Sequence, residues 1–285
     1  MSYPRSLRLV LLVLFALGLA LGPAGDAWAA PKRAPSAEDL YEQGLRQMRR
    51  GYYTKALESF NRVRNYHRDD PLSVKAQLAI ADLHYKKGDF EQAKVAYEEF
   101  ASLHPRHENL DYVTFRIGQS VYRRAPKFAG RDQAPTKTAV NVWTGFDSRF
   151  PESAYVDDVN RLLTRGRSRL AAKELFVAKF YARKEAWGAV RGRTEYLVRR
   201  YPDVPHVGEA LEYLGVSLHA WGSVDEANAI RDRLATAYPD SKYLHRLDRA
   251  LARPPGTPPD DKVFVRPYRI RGAPAMSGTG ATAGP

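Results

Sequence analysis

Small, apolar and helix-breaking residues recur along the chain at a spacing that suits paired helices. Pro71, Pro105, Pro151, Pro202 and Pro239 each follow a short basic or aromatic stretch. In four cases a small residue stands 12 positions earlier, at Ala93, Ala139, Val190 and Ala227, while Ala56 stands 15 before Pro71. Further upstream lie Gly44, Ala81, Gly118, Ala178 and Gly215. A Gly-x-aromatic step precedes the small residue at Gly51-Tyr52-Tyr53 and Gly88-Asp89-Phe90, and Gly222-Ser223-Val224 keeps the spacing with an aliphatic residue. Small residues let two antiparallel helices approach closely, glycine ends the first helix, and proline stops the second.

This is the tetratricopeptide pattern of about 34 residues. It predicts an all-α chain, a tetratricopeptide-repeat α-solenoid of about five helix–turn–helix repeats. Two units depart from the period. In the third, a segment between Arg124 and Pro135 separates the two helices. Before the fourth, Ser153 is placed to cap a long helix running to about Lys184, with Tyr155, Val159, Leu162, Leu170, Leu175 and Ala178 on its buried face. That helix joins repeats 1–3, over 38–152, to repeats 4 and 5 within 153–251. The Pro- and Gly-rich end, 252–285, is expected to be disordered, with Val263 to Ile270 as a short docking segment.

The start of the chain sets the compartment. Arg5 and Arg8 precede an apolar run from Leu9 to Leu21, then Ala27-Trp28-Ala29, the anatomy of a cleaved secretory leader over 1–29. Residues 30–37 read as a linker. The formal charge of +13 calls for acidic partners, and export removes nucleic acid from among them. With no cysteine in 285 residues, disulfides, thiolate metal sites and a cysteine nucleophile are excluded.

No constellation points to catalysis, and no metal or other cofactor is expected. His67-Arg68-Asp69 lacks the asparagine and glycine-rich loop of a kinase and reads as a turn. In His104-Pro105-Arg106-His107 the proline breaks the helix that would align both imidazoles. The chain reads as a binding scaffold, not an enzyme.

In such repeats the first helix of each pair lines the binding groove. Counting from the small crossing residues places Met48 beside Arg49, Tyr85 beside Lys86 and Tyr122 beside Arg123, with the cations 37 apart. Tyr41, Leu45, Asp82, Phe115 and Gln119 share that face. A ladder of aromatic and cationic side chains suits an extended peptide, through stacking and charge pairing. Helix dipoles alone also favour cations in a last turn, by about 0.3–1 kcal/mol, so both readings stand.

The chain resembles a known family, the outer-membrane protein assembly factor BamD. The resemblance rests on Leu83-His-Tyr-Lys-Lys-Gly-Asp-Phe-Glu-Gln-Ala93, Leu110-Asp-Tyr-Val113, Gly130-Arg-Asp-Gln133, and Leu170 to Tyr181 leading into Ala186-Trp187 and Tyr201-Pro202. It covers about Leu40 to Pro239. It implies a periplasmic subunit on the inner face of the outer membrane. The implied partners are the periplasmic domains of an Omp85-type, BamA-like insertase, unfolded barrel proteins and other subunits of the machinery. Alignment on Ala186-Trp187 puts the family's insertase-contacting arginine at Arg193, and Arg131 and Asp132 match its insertion. Family members are usually anchored through a lipidated cysteine, which this sequence lacks, so peripheral association with the membrane is expected. The alternative is another periplasmic repeat adaptor, one coordinating envelope constriction or peptidoglycan enzymes. Such adaptors often carry a coiled coil before their repeats, whereas here the repeats follow a short linker.

Overall fold

The computed structural model describes residues 34–256. The leader read in 1–29, the first half of the linker (30–33) and the tail segment Val263–Ile270 lie outside them. Every regular element among the described residues is a helix. The chain divides into two compact units, Met1–Val74 and Lys75–Pro285.

In the first unit, α1 (Ala37–Arg49) and α2 (Tyr53–Tyr66) form an antiparallel pair. Ser36 and Asp39 close a reciprocal capping box at the start of α1, satisfying two amide donors that the first turn would otherwise leave open. The pair closes on Gly44. A Cβ there would lie 2.6 Å from the ring of Phe60, which is fully buried.

Helix α3 (Pro71–Lys87) crosses the division. The second unit continues with α4 (Phe90–Leu103), α5 (Leu110–Arg123), α6 (Ala134–Trp143), the single turn α7 (Phe146–Arg149) and α8 (Val156–Ala182). Then follow α9 (Trp187–Arg200), α10 (Val207–Ala220), α11 (Val224–Ala237) and α12 (Lys242–Leu251). The five expected pairs are α1/α2, α3/α4, α5/α6, α8/α9 and α10/α11. Ala56, Ala93, Ala139, Val190 and Ala227 are all fully buried.

Punctuation between the helices is as periodic as the packing. The amides of Tyr52, Asp89, Ala186 and Ser223 each donate to the carbonyl five residues earlier, on Gln47, His84, Tyr181 and Leu218. This bond needs one left-handed residue just before the donor. Gly51, Gly88 and Gly222 supply it, and in the fourth pair Glu185 does so at φ 56°. A side chain in that region costs about 1–2 kcal/mol that glycine avoids. Glu185→Gly is therefore expected to stabilise the fold by up to about 1 kcal/mol, read as a higher denaturant midpoint at constant slope. A lower midpoint would show that the Glu185 side chain matters more than its backbone.

Pro105, Pro151, Pro202 and Pro239 directly follow the C-caps His104, Phe150, Tyr201 and Tyr238, each kept out of the helical region, as proline disfavours it for the residue before. Pro71 does otherwise and opens α3. Ser153 also departs from expectation. Helix α8 starts at Val156 with Tyr155 as its cap, and Ser153 instead donates to Asp111 Oδ2 at 2.6 Å.

Helix α8 belongs to two of the hydrophobic clusters in the core of the second unit. Val159 joins Phe115, Val121, Trp143 and Phe146. Leu170, Ala171 and Leu175 join Leu197, Tyr201, Leu211, Leu234 and Leu247. The segment between α5 and α6 is ordered by a buried amide. Gln133 Nε2 donates to the carbonyls of Pro126 and Phe128, and its Oε1 accepts from Thr136 Oγ1 at 2.6 Å.

Candidate peptide-binding site

Asp82, on α3, is the hub of the second unit's polar face. Its Oδ1 accepts from the hydroxyls of Tyr97 on α4 and Tyr112 on α5, at 2.5 and 2.6 Å. Burial, reinforced by the Asp82 carboxylate, raises both phenols, Tyr112 to about 12 and Tyr97 further. Both remain donors throughout the physiological range.

Arg116 lies between aromatic faces. Its guanidinium is 4.5 Å from the Tyr85 ring centre and 5.1 Å from that of Tyr112, and Nη1 donates to Gln119 Oε1 at 2.9 Å. The planar, weakly hydrated guanidinium is suited to such stacking. The Tyr85 hydroxyl and Arg116 Nε are buried without a hydrogen-bond partner among the described residues. Further along α5, Tyr122 packs on Trp143 at 5.8 Å and lies under Arg169 of α8 at 4.7 Å. Aromatic rings with cations stacked on them can hold an extended segment by stacking and charge pairing.

The fold thus links Asp82, Tyr85 and Gln119 through Tyr112 and Arg116, with Tyr122 beside Arg169. Lys86 and Arg123 are exposed in the last turns of their helices and make no ion pair among the described residues. Phe115 is different. Only 5% exposed and stacked on Tyr155 at 5.0 Å, it belongs to the core. In the first unit, Tyr41 is half-buried with its ring 5.6 Å from Phe60, Met48 is half-buried and Arg49 is exposed. That unit also carries an open cavity of about 420 Å³ lined by Asp39, Gln43, Arg46, Gln47, Arg50 and Tyr52, none of which the ladder includes.

Asp132 Oδ1 accepts from the Ala134 amide at 3.1 Å in the turn that leads into α6, while Arg131 is exposed. Arg193 is engaged within the chain, Nη1 donating to Glu174 Oε2 at 2.9 Å with side chains 28% and 14% exposed. The residues that sequence reasoning missed are Tyr97, Tyr112, Arg116 and Arg169. Tyr112 and Arg116 stand four apart on the face of Gln119, a readable signal. Arg169 left none, because only the placement of α8 brings it to Tyr122.

Over residues 33–234 the chain matches the YfiO family, described as outer membrane lipoprotein. It is 25% identical over 248 residues to a Neisseria meningitidis protein named outer membrane protein assembly factor BamD, covering 82% of this chain and 93% of that one. A Vibrio cholerae protein of the same name is 28% identical over 226 residues, covering 76% and 92%. Among solved structures, the TPR2AB-domain:pHSP90 complex of yeast Sti1 matches at 14% identity with a TM-score of 0.38, covering 76% of this chain and 83% of that one.

Proposed function

The chain belongs to the YfiO family of outer membrane lipoproteins, and from that premise we propose that it is a periplasmic scaffold subunit in the assembly of outer-membrane β-barrel proteins. In this reading the leader directs export, the repeats hold extended segments of unfolded barrel proteins, and the α8–α9 region meets an Omp85-type insertase. Relatives named as assembly factors and aligned over most of both chains support the general role. The observation that carries the binding mode is the stacked Tyr85–Arg116–Tyr112 face. No helix among the described residues is long and apolar enough to cross a membrane, in keeping with a peripheral subunit.

The test is capture of a peptide copying the last strand of a barrel protein. Tyr85→Ala with Tyr122→Ala removes two rings from the face and is expected to weaken binding about tenfold or more. Helical content and melting are measured alongside, because Tyr122 also packs on Trp143. Unchanged affinity in a folded double variant would remove this face from the binding site.

The insertase contact at Arg193 has its own test. Arg193→Glu alone would set two carboxylates side by side at Glu174, so a loss of co-purification could reflect local distortion. Exchanging both charges, Glu174→Arg with Arg193→Glu, rebuilds the pair and reverses its polarity. Co-purification with the insertase is expected to fail in both variants. Recovery in the exchanged pair would mean that Arg193 serves the fold and not the partner.

A further inference from the structure

Helix α8 extends beyond the helices that cover its first half. Near its start, Val159 enters the cluster of Phe115 and Trp143, and a Cβ on Gly166 would lie 2.6 Å from Val140 of α6. Further on, Leu170, Ala171 and Leu175 turn to α9 and α10. Another face of this second half stays open. Phe176 and Phe180, one turn apart, are 42% and 46% exposed. Phe128, from the segment between α5 and α6, stands edge-on to Phe176 with ring centres 5.3 Å apart and is itself 59% exposed. Gly130 lets the segment pass close, since a Cβ there would lie within 2.6–2.9 Å of both rings. Gln133 holds the carbonyl of Phe128 in place.

The margin of this cluster is basic. Lys127 and Arg131 flank Phe128 in sequence. Lys173 lies three residues before Phe176 and Arg183 three after Phe180, so helical periodicity puts both on the aromatic side. None of the four makes an ion pair among the described residues. The neighbouring acids Asp132 and Glu174 are engaged elsewhere, with the Ala134 amide and with Arg193.

We propose that Phe128, Phe176 and Phe180, with their rim of lysine and arginine, form a membrane-contact surface that seats the protein on an anionic phospholipid bilayer. The proposal rests on the outer-membrane placement argued above and adds the residues that achieve it. Exposed aromatic clusters of this kind mark interaction sites. The composition favours a lipid surface over a protein. Phenylalanine rings partition into the headgroup boundary, and unpaired cations of one sign neutralise lipid phosphates. A protein interface would instead seat its aromatic anchors in pockets inside a rim of mixed charge.

The experiment is flotation of the leader-cleaved chain with vesicles of equal parts phosphatidylglycerol and phosphatidylcholine. Binding is expected, weakened by salt, and about tenfold or more weaker on phosphatidylcholine alone. The triple variant Phe128→Ser, Phe176→Ser, Phe180→Ser and the pair Lys127→Gln, Arg131→Gln should each bind anionic vesicles about tenfold or more weakly. Val95→Ser with Leu103→Ser, at comparably exposed apolar positions, should bind as the parent does. Failure of the parent chain to bind anionic vesicles, or full binding by the triple variant, overturns the proposal. Loss of insertase co-purification by the triple variant, with no vesicle binding by the parent, would identify the cluster as a protein interface. The assembly role would then stand without the membrane contact. Vesicle binding by a chain that captures neither insertase nor barrel peptide would leave this proposal standing and overturn the assembly role.

Discussion

Trp143→Ala is expected to destabilise the protein by about 3–5 kcal/mol, the range for deleting a large buried aromatic side chain. The indole is fully buried at the centre of the cluster shared by α5, α6 and α8, and its Nε1 donates to the Phe115 carbonyl at 3.3 Å. Replacement leaves a void beside Phe146 and Val159 and removes that donor. Thermal melting should fall by about 10 °C or more. Gly118→Ala attacks the same contact from the other side. The new Cβ would fall 2.2 Å from Nε1, and because it is fixed to the helix backbone the indole must yield. Overpacking of this kind costs about 1–3 kcal/mol. Trp143→Phe with Gly118→Ala should cost less than the sum of the two single changes, since the smaller ring leaves room for the methyl group. Simple additivity would show that Gly118 is required for another reason.

The second large effect is expected at Asp82. Asp82→Ala strands two hydroxyls, on Tyr97 and Tyr112, that share one acceptor. Leaving buried donors unsatisfied costs about 1–3 kcal/mol each, so a loss of about 2–6 kcal/mol follows. Asp82→Asn retains an acceptor and should lose less. Adding Tyr97→Phe and Tyr112→Phe to the alanine variant should recover part of the loss, because nothing is then left unpaired. If the triple variant is as unstable as the sum predicts, the hydrogen bonds are not the source.

The same network fixes a pH dependence. Both phenols hold their protons more tightly folded than unfolded, through burial first and the Asp82 carboxylate second. The folded state therefore binds more protons in alkali, and stability falls as pH rises. The contribution is complete below about pH 10, the unfolded phenol value. It is lost as pH climbs through about 12, where Tyr112 ionises in the fold. Denaturant midpoints measured from about pH 9 to 12 should decline in the parent and decline less steeply when both tyrosines are phenylalanine.

Much of this architecture was legible in one dimension. Ala93, Ala139, Val190 and Ala227 announced tight helix crossings and are fully buried. Gly51, Gly88 and Gly222 announced left-handed turns and adopt them. Counting along one helix face reached Asp82, Tyr85 and Gln119, which Tyr112 and Arg116 link to one another. Periodicity marks the face a residue occupies but not what lies over that face. Phe115 was on the right side of α5, yet Tyr155 already covers it. Arg193 could be reached by alignment, but its pairing with Glu174 spans two helices. Glu185 hid a turn that glycine marks elsewhere, because the backbone demand there is met without the residue that usually signals it.

What the order of residues determined alone was local: where helices start, turn and stop, and which side of each is small enough to be approached. These follow from backbone sterics and from the spacing of side chains on one helix, forces that act within a few residues. The tertiary structure decided which of those faces survive as surface. Arg116 became a stacked cation only when α3 and α5 set tyrosines on either side of it. Phe128 joined Phe176 only because a buried glutamine and a close-passing glycine bring the segment onto α8. Such contacts depend on the meeting of elements far apart in the chain, and no short-range pattern encodes them.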